Sequence, residues 1–224
     1  MITTEQETAI RATLATMPEL AVGIGTEERS CSIAAVNLAL TGTLTDKVPD
    51  CMSLVIGRWI IGVQDRMPAT VRNSAAWREL LVLAAGTGRE HETQRWALVL
   101  DWMWNALALV QPRADAVGYG VAWATMLRER TSKSASAAYA TADATADAAA
   151  YAAASATADA DAYAYADAAA CADAYANASA AAAAYAAASA DAYASADAWG
   201  TIDPVGMLRR LIAVTDERAL AVQP

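Results

Sequence analysis

Gln94, Asp101 and Asn105 stand at i, i+7 and i+11 in a segment, 91–110, whose other positions are mostly apolar. On a helix these three share one side, with Asp101 and Asn105 one turn apart. Trp102 adjoins the carboxylate in sequence, and Trp96 and Trp104 lie in the same segment. A carboxylate and a carboxamide among indole rings can line a Trp-walled pocket in which Asp101 binds a cation or a base-like ligand. The same pattern also describes the solvent face of a central helix. Asn37 interrupts the stripe Ile33, Val36, Leu40. A buried amide must find partners, so Asn37 reads as a structural hydrogen-bonding residue or as a further ligand contact. The candidate ligand-binding residues are therefore Asp101, Asn105, Asn37 and Trp102.

Catalytic chemistry has less to build on. His91 is the single histidine, and it sits among Arg89, Glu90 and Glu92. A general base needs a shaped neighbourhood, and no G-x-S-x-G elbow is present to supply a serine partner. Gly86-Thr87-Gly88-Arg89 has the look of a phosphate-holding loop, yet it follows an apolar helical stretch and lacks the lysine of a P-loop. It reads as a helix–helix connection. Cys31, Cys51 and Cys171 are odd in number and far apart, with no C-x-x-C or Cys/His cluster. Neither a disulfide framework nor a zinc site is indicated. The expectation is a protein without catalytic residues, metal or cofactor, in a reducing cytoplasm.

Charge and hydropathy narrow the partners. The net charge is −9, of which residues 131–200 carry eight Asp against one Lys. A basic face for nucleic acid is not expected. The N-terminus MITTEQETAI lacks the basic flank and apolar core of a signal peptide, and Asp recurs too often in the Ala-rich part for a lipid-spanning segment. The expected partners are another protein or a second copy of the chain, with a small molecule as an option.

The elements that must position these residues are helical. Thr4-Glu5-Gln6-Glu7 has the form of a capping box. Gly42 stops a segment that begins near Ser30, and Asp50 is placed to cap the next. Met52, Val55, Ile56, Trp59, Ile60 and Val63 form one helical stripe. Asn73 or Ser74 opens a helix carrying Trp77, Leu80, Leu81 and Ala84, with Gly86 as its stop. Thr87 to Glu90 offers a second capping box for a helix reaching about Leu109. Gln111-Pro112 punctuates before a last helix with Val121, Trp123 and Leu127. Phe is absent, and six of the seven Trp lie between Trp59 and Trp123, so the core of this head, residues 1–130, is built on Trp and Leu.

From 131 to 200 the chain is Ala-rich, and from Ala138 to Ala198 every even-numbered residue is Ala. Tyr139, Tyr151, Tyr163 and Tyr175 recur twelve apart, an internal repeat. Period two is formally that of a strand, which would make a thin β-solenoid. No Gly or Pro occurs between Gly120 and Gly200 to turn its corners, and Ala is the strongest helix former. A helix, as a single rod or a hairpin, is the expectation, and the alternation then records expansion of a short DNA repeat. Residues 201–224 restart with Asp203 as cap and Pro204 at the first helical position. Met207, Leu208, Leu211 and Ile212 need an apolar partner there.

The runs CSIAAVNLALTG, CMSLVIGRWIIGVQDRMP, LAAGTGRE and LDWMW, with the closing Asp203-Pro204, resemble uncharacterised bacterial and phage-associated proteins that join a helical head to a variable Ala-rich tract. The resemblance implies this organisation and no activity. The fold class expected is all-α: a compact multi-helix head, a long Ala-rich helical segment and a short C-terminal docking helix. The function expected is a non-enzymatic interaction or structural role, with the Ala-rich helix as spacer or oligomerisation element. One alternative is a small-ligand-binding head, which the resemblance would make a phage- or defence-related sequestering protein. Another is ice or surface binding through the tract.

Overall fold

The protein was described from a computed structural model, which covers residues 2–144 and 198–214. The rod, hairpin and solenoid readings of 145–197 lie outside the described residues. The described chain is all-α apart from one two-stranded antiparallel hairpin. It forms two compact units. The first takes in 2–96 and 204–214, the second 97–144 and 198–203.

In the first unit, α1 (Thr4–Thr16), α2 (Ser32–Thr41), α3 (Leu54–Gln64), α4 (Ala69–Arg72) and α5 (Ala75–Ala84) pack together. Strands β1 (Gly25–Thr26) and β2 (Arg29–Ser30) pair Gly25 with Ser30 and Thr26 with Arg29. Two-residue strands are too short to leave an alternating pattern, so periodicity alone does not show them. The stripe of α3 is the centre of this core. Met52, Val55, Ile56, Trp59, Ile60 and Val63 are all fully buried. The rings of Trp59 and Trp77 meet at 6.2 Å between centroids, tilted by 43°, and Trp77 Nε1 donates to Ser32 Oγ at 3.1 Å.

Helix starts are set one by one. Thr3, not Thr4, caps α1, in a box with Gln6; T-T-E-Q-E offers two overlapping boxes, and the earlier one forms. Ser53, not Asp50, caps α3, its Oγ accepting from Ile56 N at 3.2 Å. Ser74 caps α5. Gly42, with φ +70°, ends α2 in the left-handed conformation that glycine adopts at least cost. Gly57 in the middle of α3 has a different reason: a methyl group there would collide with the side chain of Val48. The 43–50 loop crosses α3 at that point, and Asn37 holds the same loop from α2.

Helix α6 (Glu92–Ala108) begins later than its sequence punctuation indicates. Thr87 Oγ1 accepts from Ser53 N and donates to Ala84 O, so it is not available to cap α6. His91 precedes the helix with φ +66°. Glu92 is also committed elsewhere. Its carboxylate accepts from Ser53 Oγ at 2.6 Å and Leu54 N at 2.7 Å, at the N-terminus of α3, where a negative charge is favoured.

One turn on, Arg95 is 2% exposed. Its guanidinium donates to five backbone oxygens: Thr87, Gly88 and Glu90 on the approach to α6, and Leu211 and Val214. Leu211 lies in the last turn of α11 (Pro204–Ala213) and Val214 directly follows it. That helix buries Met207, Leu208 and Leu211 and packs on α3 and α5, which supplies the apolar partner its sequence demands.

The second unit holds the rest of α6 with α7 (Gln111–Val117), α8 (Gly120–Glu129), α9 (Ser132–Ala144) and α10 (Ala198–Ile202). Tyr119 and Trp123 pack edge to face with centroids 5.8 Å apart, and Trp123 Nε1 donates to Leu107 O at 3.0 Å. Thr131 and Ser134 exchange side-chain to backbone hydrogen bonds across the first turn of α9. No helix among the described residues is long and apolar enough to cross a membrane.

Leaving a buried acceptor unpaired costs roughly 1–3 kcal/mol. Arg95→Met should therefore lower the unfolding free energy by at least ~3 kcal/mol, measured by urea denaturation followed through Trp emission. Arg95→Lys keeps the charge but not the planar fork, and should recover less than half of that loss.

Candidate functional site

Asp101 and Asn105 lie on an exposed face of α6, in the second unit. Asn105 Nδ2 donates to Asp101 Oδ2 across a long 3.4 Å. Arg130 joins them. Its backbone ends α8 at φ +51°, and its guanidinium lies 3.8 Å from the Asp101 carboxylate and 5.7 Å from the centre of the Trp104 ring. Trp102 points the other way, as a residue 100° further round a helix does. It is 6% exposed, and its Nε1 donates to Ile202 O at 2.7 Å. The structure thus gathers the exposed Asp101, Asn105 and Arg130 beside the buried ring of Trp104, and buries Trp102 as well.

Asn37 belongs to the first unit and is 5% exposed. Its Nδ2 donates to Thr45 O at 2.8 Å and to Lys47 O at 2.7 Å. Both amide hydrogens are used in fixing the 43–50 loop. The glycine-bearing 86–91 connection is similarly engaged: Gly88 N donates to Cys51 O, and Arg89 reaches Pro49 O and the Asp50 carboxylate. Burial raises the pKa of the Cys31 and Cys51 thiols, which disfavours the thiolate that a nucleophile needs.

A groove of about 590 Å³ runs between α1 and α5, with Leu14, Met17, Pro18 and Val82 among its apolar lining. Arg11 stands at its edge. The guanidinium takes both oxygens of Glu79 in a fork and also reaches Glu7 at 2.9 Å. Hydrogen bonding to Arg11 holds the Glu79 carboxyl below its usual range, and the same contacts raise the pKa of Arg11. Arg78, also in the groove wall, donates to Leu14 O and Met17 O at the end of α1 and to Asn73 Oδ1. Outside the groove, the buried Arg72 donates to Gln64 O at the end of α3, to Met67 O just beyond it and to Leu20 O.

Sequence reasoning overlooked Glu92, Arg72, Arg78 and Arg95, and one signal was available. Arg95 falls on the apolar face of α6, one turn before Val99 and two before Trp102. A lone arginine in such a stripe is buried only with its donors satisfied. Among the described residues no group of three or more His, Cys, Asp or Glu is arranged to hold a metal ion. No protein-family model, curated protein or solved structure matches the chain.

A carboxyl whose folded pKa is depressed stabilises the fold above its unfolded pKa and loses that contribution as pH falls through the folded value. The α1–α5 tie through Arg11 and Glu79 should therefore weaken in acid. In Glu79→Gln, the urea midpoint should fall less between neutral and acidic pH than in the unmodified protein. Equal slopes would show that the pair carries no stability.

Proposed function

We propose that the protein is a non-enzymatic interaction or structural protein in which the Ala-rich segment serves as a helical spacer or self-association element. The observation that supports this most directly is α9, the first part of that segment. Ser132–Ala144 is helical and packs on α8, with Ala135 and Ala138 fully buried and Ser134 nearly so. Alanine is the best helix former, and its short side chain lets two helix axes approach closely. A surface of this kind suits contact with another helix, from a partner protein or from a second copy of the chain.

Sedimentation of the full chain should show a mass that rises with concentration, and far-UV circular dichroism should show high helicity. A monomer at every concentration that also lacks a protein partner would remove this reading. Ala138→Leu should destabilise the α8–α9 pair by about 1–3 kcal/mol, because the buried methyl leaves no room for a larger side chain.

A second reading places a small cationic ligand on the head, through Asp101 and Asn105. The position of Arg130 favours it, since a guanidinium already rests there between an aromatic ring and a carboxylate, in the manner of cation–π recognition. Titration with arginine or a polyamine should then change Trp emission in the wild type and not in Asp101→Ala. No change in the wild type would discard it.

A further inference from the structure

Helices α2 and α7 end in the left-handed conformation on glycine, at Gly42 and Gly118. Helix α8 ends in it on Arg130, at φ +51°. A side chain there carries a backbone cost that glycine avoids, and contacts beyond Cβ must offset it. The guanidinium makes two such contacts. It lies 5.7 Å from the centre of the Trp104 ring, and with it in place Trp104 is 7% exposed. Its Nη1 stands 3.8 Å from Asp101 Oδ1, an ion pair too long for a hydrogen bond. The other carboxylate oxygen, Oδ2, accepts from Asn105 Nδ2. All four residues belong to the second unit.

We propose that Trp104, Asp101 and Asn105 form a seat for a guanidinium group, and that Arg130 is its tethered occupant, which an external guanidinium must displace. This deepens the second reading above and rests on it, by naming the ligand class and the group that keeps the seat closed. A guanidinium is planar, so it stacks on an indole face while its N–H groups reach a carboxylate in its own plane. An ammonium is a compact, strongly hydrated point charge and does not combine the two. Arg130 fills the seat imperfectly. Its Cα is fixed by the end of α8, and its Nη1 stops short of hydrogen-bonding distance from Asp101. A guanidinium that is not tied to this backbone can close that gap.

The test is calorimetric titration of the full chain and of Arg130→Gly with agmatine, and with an end-blocked tripeptide that carries one arginine. Glycine suits the left-handed helix end, so this variant should stay folded; Arg130→Asn, which also tolerates that conformation, is the second choice. If Arg130 fills the seat about nine-tenths of the time, its removal should tighten apparent binding roughly tenfold. Adding Asp101→Ala to Arg130→Gly should abolish the gain. Cadaverine, which carries an ammonium in place of the guanidinium, should bind more weakly than agmatine. A gain for agmatine alone assigns a free small molecule as the source of the guanidinium, and a gain for the tripeptide assigns an arginine side chain. Equal affinity in the full chain and Arg130→Gly would leave the second reading standing and overturn this proposal. Binding to Arg130→Gly alone would support the proposal and remove the reading of an open site in the wild type. Binding to neither, or cadaverine as tight as agmatine, would overturn the proposal.

Discussion

A helix ends in backbone carbonyls that its own turns cannot satisfy, and a compact bundle buries many of those ends. In the first unit this constraint is met by arginines from elsewhere in the chain. α1 and α3 carry no basic residue in their last turns. Arg78 supplies donors to the end of α1, Arg72 to the end of α3 and Arg95 to the end of α11. Each adds a positive charge where the helix dipole favours one, and each ties together pieces distant in sequence. Glu92 performs the converse service at the start of α3. Burial lowers the pKa of Arg95, and the nearby charges of Glu92 and Glu90 oppose that shift.

This arrangement accounts for what was legible in the sequence. The stripe from Met52 to Val63 was readable because its period is local, and every member is buried. Ser74 and Gly42 were readable because a cap is a property of one or two adjacent residues. The apolar face of α11 was readable too, although not its destination on α3 and α5. The start of α3 is set by a local cap, Ser53 to Ile56 N, for which Asp50 was a competing candidate. The start of α6 differs, because Thr87 and Glu92 bond to Ser53 and Leu54 across gaps of more than thirty residues, and no local rule anticipates such a bond.

The candidate ligand residues divide in the same way. Asp101 and Asn105 are four apart, so their common exposed face follows from helical geometry. The approach of Arg130 depends on the left-handed turn that ends α8, at a non-glycine residue. Asn37 was legible as an amide in need of partners, while Thr45 and Lys47 as those partners were not. Trp102 was legible only as an indole among apolar neighbours. That its N–H closes onto Ile202 follows from the return of the chain, which one segment cannot foretell.

The absence of phenylalanine has a consequence for the character of the interior. A phenyl ring is indifferent to rotation about its own axis and can slide against its neighbours with little loss. Trp77, Trp102 and Trp123 have no such freedom, because each indole N–H is bound to a particular oxygen: Ser32 Oγ, Ile202 O and Leu107 O. Each ring therefore has an azimuth as well as a position. A core made this way resists gradual loosening, since a ring that turns must abandon a hydrogen bond in a place water does not reach. Its interior is specified in orientation and not only in volume.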